Sequence, residues 1–152
     1  MAHEMPLTKE RRPVKDGLLA GPLDRLDEVR LCGTRCAVCR EVALGRNEVC
    51  LNCGGDAVAA EKLADRGVLW TFTVVRHRPP GDYRGPEPFE PFGLGLVELP
   101  EGIRVMAPIG CDIDRLEIGM PLQFRPLVRS DADGVETVHF DYVALSNEAA
   151  HV

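Results

Sequence analysis

Four cysteines have the spacing of a metal-binding set. Cys36 and Cys39 form one C-x2-C pair, Cys50 and Cys53 form a second, and ten residues separate the pairs. A C-x2-C turn directs both of its sulfurs toward one point, and Zn²⁺ prefers four tetrahedral ligands, among which thiolate is one of the best. The pattern therefore predicts a closed structural zinc site with no open position for a substrate.

Other uses of paired cysteines fit this sequence less well. A thioredoxin-like redox pair requires one C-x2-C motif beside a βαβ pattern, which we do not find. Two disulfides would be typical of a secreted protein, but residues 1–6 carry charge and do not lead into the apolar run of a signal peptide. Iron in a rubredoxin-like site stays as the alternative to zinc, because both metals use the same cysteine turns.

The remaining cysteines and the histidines predict no catalytic residue. Cys32 breaks the two-plus-two arrangement and is interpreted as a free buried thiol, and Cys111 as a packing residue. His77 and His139 are the plausible acid–base groups of the folded part, but the sequence places no nucleophile beside either. On its strand, His139 is expected to face solvent.

Composition and charge limit the partners. The 152 residues are 45% hydrophobic and 28% charged, a balance typical of soluble globular proteins. Zinc ribbons and OB barrels can both bind nucleic acid, so a single-stranded nucleic-acid-binding zinc-ribbon/OB module is the alternative function. The net charge of −6 disfavours this alternative, because it opposes a general attraction to phosphate backbones. No segment approaches the ~20 apolar residues of a membrane span. We expect a cytoplasmic protein with neither nucleic acid nor membrane as partner.

The aromatic residues divide the chain into two parts. All eight lie beyond residue 69, so the preceding segment must form its core without an aromatic ring. A unit that small requires a staple, which a metal would provide. A short helix is expected from Pro22 to about Val29. The predicted division is an N-terminal tail and short helix over 1–31, a zinc ribbon over 32–65, a barrel over 66–146 and a C-terminal tail over 147–152.

Alternation of apolar and polar residues predicts five short strands after residue 67. They cover Leu69–Arg76, Gly93–Leu99, Ile103–Ile109, Leu122–Val128 and Thr137–Leu145. In the first, Trp70 and Phe72 are predicted to share a face, and Gly95 in the second indicates a bulge or a close backbone approach. Five short strands in about eighty residues are typical of an OB-type barrel, so the predicted fold is mainly β.

A proline-rich loop connects the first two predicted strands. Residues 77–92 contain five prolines and three aromatic residues, Tyr83, Phe89 and Phe92. Prolines stiffen the unbound loop, and a stiff apolar loop of this length usually marks an interface. We interpret the aromatics as contacts for a partner. The alternative is a loop that folds back over one end of the barrel.

The order of these parts resembles a known family. The segment Leu31–Cys39 leads through the second cysteine pair to Gly67–Val75, to the proline-rich loop, to Leu96–Arg104 and then to Ile118–Pro121. Over roughly residues 16–146 this order is similar to the rubredoxin-like zinc-ribbon plus OB-fold family of acyl-CoA-associated proteins. Val42–Glu48 departs from the family, whose members often have prolines and an aromatic residue there.

The resemblance implies a small, non-catalytic partner of a thiolase-fold enzyme, such as benzoylsuccinyl-CoA thiolase or a steroid side-chain aldolase. Such a chain docks on a thiolase-like large subunit in a hetero-oligomer and shapes or closes the acyl-CoA site. Carbon–carbon bond chemistry belongs to the large subunit. Arg76, His77 and Arg78, at the base of the loop, are then predicted to contact a CoA phosphate or a partner carboxylate. Solvated charges at a strand end are the alternative.

Overall fold

The computed structural model describes residues 10–81, 83, 85–130 and 133–145. These residues form ten strands and two single 3-10 turns, so the chain is mainly β as predicted. The strands are β1 (Arg11–Pro13), β2 (Leu19–Ala20), β3 (Arg30–Cys36), β4 (Val42–Leu44), β5 (Val58–Lys62), β6 (Arg66–Val75), β7 (Phe92–Glu98), β8 (Arg104–Ile109), β9 (Pro121–Ser130) and β10 (Glu136–Ala144). Residues 1–9 of the predicted N-terminal tail and the predicted tail 147–152 lie outside the described residues.

Five strands close into a barrel. β6 pairs with β7, β7 with β8, β8 with β10, β10 with β9, and β9 with β6 again. Four of these pairings are antiparallel, whereas β8 and β10 are parallel and meet where Ile109 lies opposite Tyr142. The predicted five-stranded OB-type barrel is therefore confirmed.

The barrel core follows the alternation of its strands. Val105, Ala107 and Ile109 of β8 are buried and belong to the same core cluster as the aromatic rings of β9 and β10. In that cluster the Phe124 ring centroid lies 5.5 Å from that of Phe140 and 5.8 Å from that of Tyr142. Aromatic rings in such contact contribute beyond their buried area. The barrel part of the core thus contains packed aromatic rings, which the segment before residue 70 lacks.

Gly95 marks a close backbone approach, one of the two outcomes predicted for it. A Cβ added there would lie 2.6 Å from Leu69 Cδ1. The β-bulge lies instead in β6, where the register with β7 shifts between Leu69 and Thr71.

The bulge in β6 corrects the prediction that Trp70 and Phe72 share a face. The extra residue at the bulge moves Trp70 outward, with 44% of its surface exposed, while Phe72 packs against the core. A bulge changes which residues of a strand point inward. Outside the barrel the Arg104 guanidinium lies 3.8 Å from the centroid of the indole ring, a cation–π contact.

The second sheet carries the cysteines. β3 pairs antiparallel with β2, β4 and β5. Leu31 and Val42 of this sheet, with Val29 and Leu63 directly beside it, belong to the same apolar cluster as the barrel core. Since one cluster runs through both sheets, the division into ribbon and barrel stays a prediction about folding units.

The N-terminal segment differs from the predicted tail and short helix. β1 pairs parallel with β10 at the edge of the barrel sheet, and β2 extends the sheet of β3. In place of a helix from Pro22 to Val29, a single 3-10 turn covers Leu26–Glu28. Arg25 precedes this turn without a side-chain cap, and a helix that short cannot offset its nucleation cost.

Candidate metal centre and loop groove

The four predicted ligands come together at one end of the β3 sheet. Cys36 ends β3 and Cys39 follows in the same turn, while Cys50 and Cys53 occupy a second turn of the same kind. All four Sγ atoms lie within 4.8 Å of one another. The Sγ–Sγ distance is 3.7 Å between Cys36 and Cys53 and 3.5 Å between Cys39 and Cys50.

The two turns have the same backbone design. Arg40 N–H donates to Cys36 C=O at 3.0 Å, and Gly54 N–H donates to Cys50 C=O at 2.9 Å. Each turn needs a left-handed residue at this position, with φ of 66° at Arg40 and 77° at Gly54. Glycine adopts such a φ without strain, and arginine does so only at some cost. The sequence shows the glycine, but it gives no sign of the strained arginine.

Backbone N–H groups favour ionised sulfurs in both turns. N–H groups of Cys39 and Val38 lower the pKa of Cys36, and those of Cys53 and Asn52 lower the pKa of Cys50 to about 6. At Cys53 a hydrogen bond from the Gly55 N–H lowers the pKa. The neighbouring sulfurs together raise it by more, so the pKa of Cys53 is about 11. Four thiolates at this spacing therefore require a cation.

The donor set fits zinc. Four sulfurs around one ion with bonds of about 2.3 Å lie about 3.8 Å apart in a tetrahedron. The two Sγ–Sγ distances of 3.5 and 3.7 Å are close to that separation.

Cys32 is buried outside the cluster, as predicted for a free thiol, and Cys111 is half-buried against the core.

The proline-rich loop folds back on the barrel and forms its own aromatic cluster. The Tyr83 ring centroid lies 5.6 Å from that of Phe89 and 6.3 Å from that of Phe92. Arg78 forms an ion pair with Glu87 at 2.7 Å, and its guanidinium lies 5.8 Å from the Tyr83 centroid. These contacts hold the loop in one shape. They agree with the alternative given in the sequence analysis, a loop that folds back over the barrel.

A groove of about 550 Å³ lies between this loop and the barrel. Tyr83 and Phe92 line it, whereas Arg76 and His77 lie exposed at the base of the loop. Phe89 belongs to the aromatic cluster, and Arg78 contacts Tyr83. Five of the six predicted contact residues thus lie in the loop and Arg76 directly precedes it, and two of the six line the groove. Their contact with a partner or with acyl-CoA stays a prediction.

The opposite wall contains residues that the sequence did not single out as a site. Pro108 of β8, Leu127 and Arg129 of β9, and Phe140 of β10 line the groove. His139 lies there too, half-buried, and not on an open solvent face as expected. Burial, and then the positive charge of Arg129, lower the pKa of His139. These residues are distant in sequence and meet only because the barrel closes.

An ion pair holds Asp141, which also lines the groove. Arg125 donates through Nε and a terminal nitrogen to both carboxylate oxygens of Asp141, at 2.8 and 2.6 Å. Asp141 is 7% exposed. Bidentate pairs of this kind fix geometry as well as charge.

The barrel matches a known family of domains. Residues 60–125 match the family described as ChsH2, C-terminal OB-fold domain. The barrel resembles that domain. The match begins after the four clustered cysteines and so supports the barrel part of the resemblance predicted from the sequence.

Two relatives extend the similarity over most of the chain. A DUF35 domain-containing scaffold protein of Pyrococcus furiosus is 29% identical over 113 residues, which cover 72% of this chain and 79% of the relative. The solved structure called Ltp2-ChsH2(DUF35) aldolase aligns with a TM-score of 0.58 and 29% identity, over 76% of this chain and 84% of that one. The resemblance predicted from the sequence is therefore confirmed.

Within the described residues, no helix has the length and apolar character needed to cross a bilayer.

Proposed function

We propose that this protein is a non-catalytic, zinc-binding accessory subunit of a thiolase-type enzyme that cleaves or forms carbon–carbon bonds in acyl-CoA substrates. The similarity to Ltp2-ChsH2(DUF35) aldolase carries the proposal. That description names two components of one aldolase, and the Pyrococcus relative is described as a scaffold. Both support a role beside a larger catalytic chain.

Zinc is the proposed resident metal, and Cys36, Cys39, Cys50 and Cys53 would hold it. Its contribution is structural, because four protein ligands fill a tetrahedral zinc site and leave no position for substrate. The ion would fasten a ribbon over residues 32–65 to a barrel over residues 66–146. We propose a cytoplasmic location together with this site, because thiols stay reduced there and remain available to a metal.

The loop supplies the proposed contacts with the large subunit and with acyl-CoA. Its exposed base is positively charged, and guanidinium groups bind carboxylates and phosphates well. Its apolar aromatic part can exclude water, which strengthens the dipoles that stabilise an enolate beside a thioester. The six residues are Arg76, His77, Arg78, Tyr83, Phe89 and Phe92.

Bond cleavage is assigned to the large subunit. Burial raises the pKa of Cys111, which disfavours its nucleophilic thiolate form. The proposed zinc ion has no free coordination position, because four cysteines fill its tetrahedral site. This chain is left with binding, shaping and shielding.

Co-purification from the native cell tests the proposal. The affinity-tagged full chain should bring down a thiolase-like chain in a fixed ratio, and the complex should contain about one zinc ion per accessory subunit. Arg76→Glu should weaken capture by reversing a charge at the loop base. Arg66→Glu is the matched control, because Arg66 begins β6 and Arg76 directly follows its other end. A chain that purifies without a partner would contradict the proposal.

A further inference from the structure

The bulge in β6 sets a tryptophan on the outside of the barrel. The register with β7 shifts between Leu69 and Thr71, and 44% of the surface of Trp70 is exposed. Alternation counted from the inward Phe72 would have turned Trp70 into the core. Bulges re-aim single side chains in this way and are often found beside functional sites.

Arg104 holds the indole in place. Its guanidinium lies 3.8 Å from the centroid of the Trp70 ring, and its Nε donates to a carboxylate oxygen of Glu98 at 3.0 Å. Trp70 belongs to β6 and Arg104 to β8, so the two side chains meet over β7, the strand between them. The indole is thus fixed before any partner binds, which lowers the entropy lost when an interface immobilises it.

Apolar residues surround this indole on the outside of β7 and β8. Buried and more exposed residues alternate along both strands, so the outward positions include Leu94, Leu96, Met106 and Pro108. Leu96 lies opposite Met106, and Leu94 lies opposite Pro108. Met106 is 64% exposed. These four side chains and Trp70 form the outer patch, and contiguous apolar surface of this kind marks an interaction site.

The composition of the outer patch fits a protein surface. Tryptophan, methionine and arginine are among the residues that are enriched in protein interfaces. A single strand of nucleic acid also stacks on aromatic rings, but it needs free cations for its phosphates. Arg104, the cation that contacts Trp70, is already paired with Glu98.

The outer patch is continuous with the proline-rich loop. Phe92, the first residue of β7, and Pro108 of β8 both line the groove under that loop. Along β6, Trp70 lies six residues before Arg76, a separation of about 20 Å in an extended strand. An interface of about 800 Å² per partner is about 30 Å across. One partner that contacts the base of the loop therefore also covers the patch.

We propose that the large subunit docks on the outer patch, with Trp70 and Met106 as its main anchors. The choice of this partner rests on the proposed function, in which the loop contacts the same subunit. A second copy of this chain is the less suitable occupant, because each copy carries a net charge of −6 and like charges keep proteins apart. The partner surface that covers Met106 is apolar, since a buried polar group there would stay unpaired.

Met106→Glu tests the docking surface, because it sets a charge where the proposal buries an apolar side chain. The large subunit captured by the native tagged chain is identified by mass spectrometry, produced separately and titrated against each variant by biolayer interferometry. Met106→Glu and Trp70→Ala should each weaken binding by roughly 30-fold or more, the value of an interface hot spot. The loss should appear as faster dissociation.

Leu51→Glu is the matched control. Leu51 is 69% exposed at the ribbon tip, so the same change of an exposed apolar residue to a charge should leave binding unaltered. Arg76→Glu should mainly slow association, and its effect should fade at high salt, whereas the Met106→Glu loss should persist. Arg66→Glu stays a control as well, because Arg66 pairs with β9 and lies outside the patch.

Oxidation of methionine by hydrogen peroxide gives a second measurement, on the unaltered chain. Met106 is 64% exposed, whereas Met120 is half-buried against the core. Because oxidation follows exposure, Met106 should be oxidised roughly fivefold more slowly in the complex than in the free chain. The rate at Met120 should change little. Mass spectrometry of the peptides measures both rates.

Four results would overturn the proposal while the accessory role stands or is tested apart. Equal binding by the native, Met106→Glu and Trp70→Ala chains, with no protection of Met106, would place the large subunit elsewhere. A loss confined to Leu51→Glu would move docking to the ribbon tip. A native dimer that Met106→Glu makes monomeric in sedimentation would assign the patch to a second copy. Salt-sensitive binding of a single-stranded oligonucleotide, abolished by Trp70→Ala, would assign it to nucleic acid.

Capture by the native chain separates this proposal from the proposed function. If the native chain captures no large subunit, the accessory role fails and the docking surface fails with it. If the native and Met106→Glu chains capture the same subunit with equal affinity, only the docking surface fails.

Discussion

The ribbon and the barrel are stabilised in different ways. In the ribbon, Val38 and Leu51 beside the four clustered cysteines are 73% and 69% exposed, and no aromatic ring contributes. In the barrel, Phe124, Phe140 and Tyr142 contact one another around a closed sheet. The ribbon tip therefore depends on a single proposed ion, whereas the barrel depends on many smaller contacts. Replacing one cysteine should therefore abolish the ordered structure of the ribbon tip and leave the barrel intact. Replacing one barrel residue should remove only part of the stability of the barrel.

The largest expected effect comes from removing a ligand of the proposed zinc. Cys50→Ser should lose the metal and the slow amide exchange of residues 34–60, because a tetrathiolate site does not form with three thiolates and a hydroxyl at comparable affinity. Amide exchange followed by mass spectrometry, with metal analysis, measures both. Slow exchange in the barrel strands should persist.

Cys111→Ser provides the control for that comparison. Cys111 is a half-buried thiol outside the cluster, so the variant should keep its metal and its ribbon. Equal loss of slow exchange in both regions of the Cys50→Ser chain would show that ribbon and barrel fold as one unit.

A smaller effect is expected from the ion pair beside the groove. Arg125→Ala leaves the Asp141 carboxylate, which is 7% exposed, without its bidentate partner. Hydrogen bonds to charged groups are worth about 1.5–3 kcal/mol, so the free energy of unfolding should fall by about 2 kcal/mol. Urea denaturation measures it. The double variant with Asp141→Asn should recover part of the loss, because the buried charge is removed.

Tyr142→Phe should raise the free energy of unfolding, whereas Arg125→Ala should lower it. The Tyr142 hydroxyl is buried and makes no hydrogen bond within the described part of the chain. Burial is also the main cause of its raised pKa, followed by the charge of Glu101. Removing an unpaired hydroxyl while keeping the ring should stabilise the protein by about 1 kcal/mol. Destabilisation in the same denaturation experiment would indicate that the hydroxyl has a bound partner such as water.

The smallest effect is a pH dependence that arises in the groove wall. Burial and Arg129 lower the pKa of His139 in the folded state, with Asp141 opposing them. Below the ordinary histidine pKa of about 6.5, the unfolded chain therefore takes up the proton more readily, and stability falls as the pH decreases. Above that pH the effect is absent. An NMR titration of His139 gives the shift directly, and His139→Gln should remove this part of the pH dependence of unfolding.

Local patterns made much of the fold predictable. The cysteine spacing predicts the cluster, and alternation in residues 93–99 and 103–109 predicts strands that the structure has at nearly the same bounds. These signals act over a few residues and need no knowledge of the rest of the chain.

Features that depend on distant pairing were not predictable. The bulge at Trp70 follows from the register between β6 and β7, and the strand at Arg11–Pro13 exists only because β10 lies beside it. The groove wall likewise joins Pro108, Arg129 and Phe140, which no local pattern links. Alternation within β10 set His139 on the outer face, but it could not show that a loop fifty residues earlier covers that face.

The outward position of Trp70 gives the protein a built-in optical reporter. The sequence contains a single tryptophan, so its fluorescence describes one place on the molecule. Its side chain is partly exposed to water on the outside of β6, under the Arg104 guanidinium. A large subunit seated on this face would dry the indole and shift its emission to shorter wavelength, whereas one seated on the ribbon tip would leave the spectrum unchanged. Titration with an unlabelled partner could thus map the orientation of the assembly.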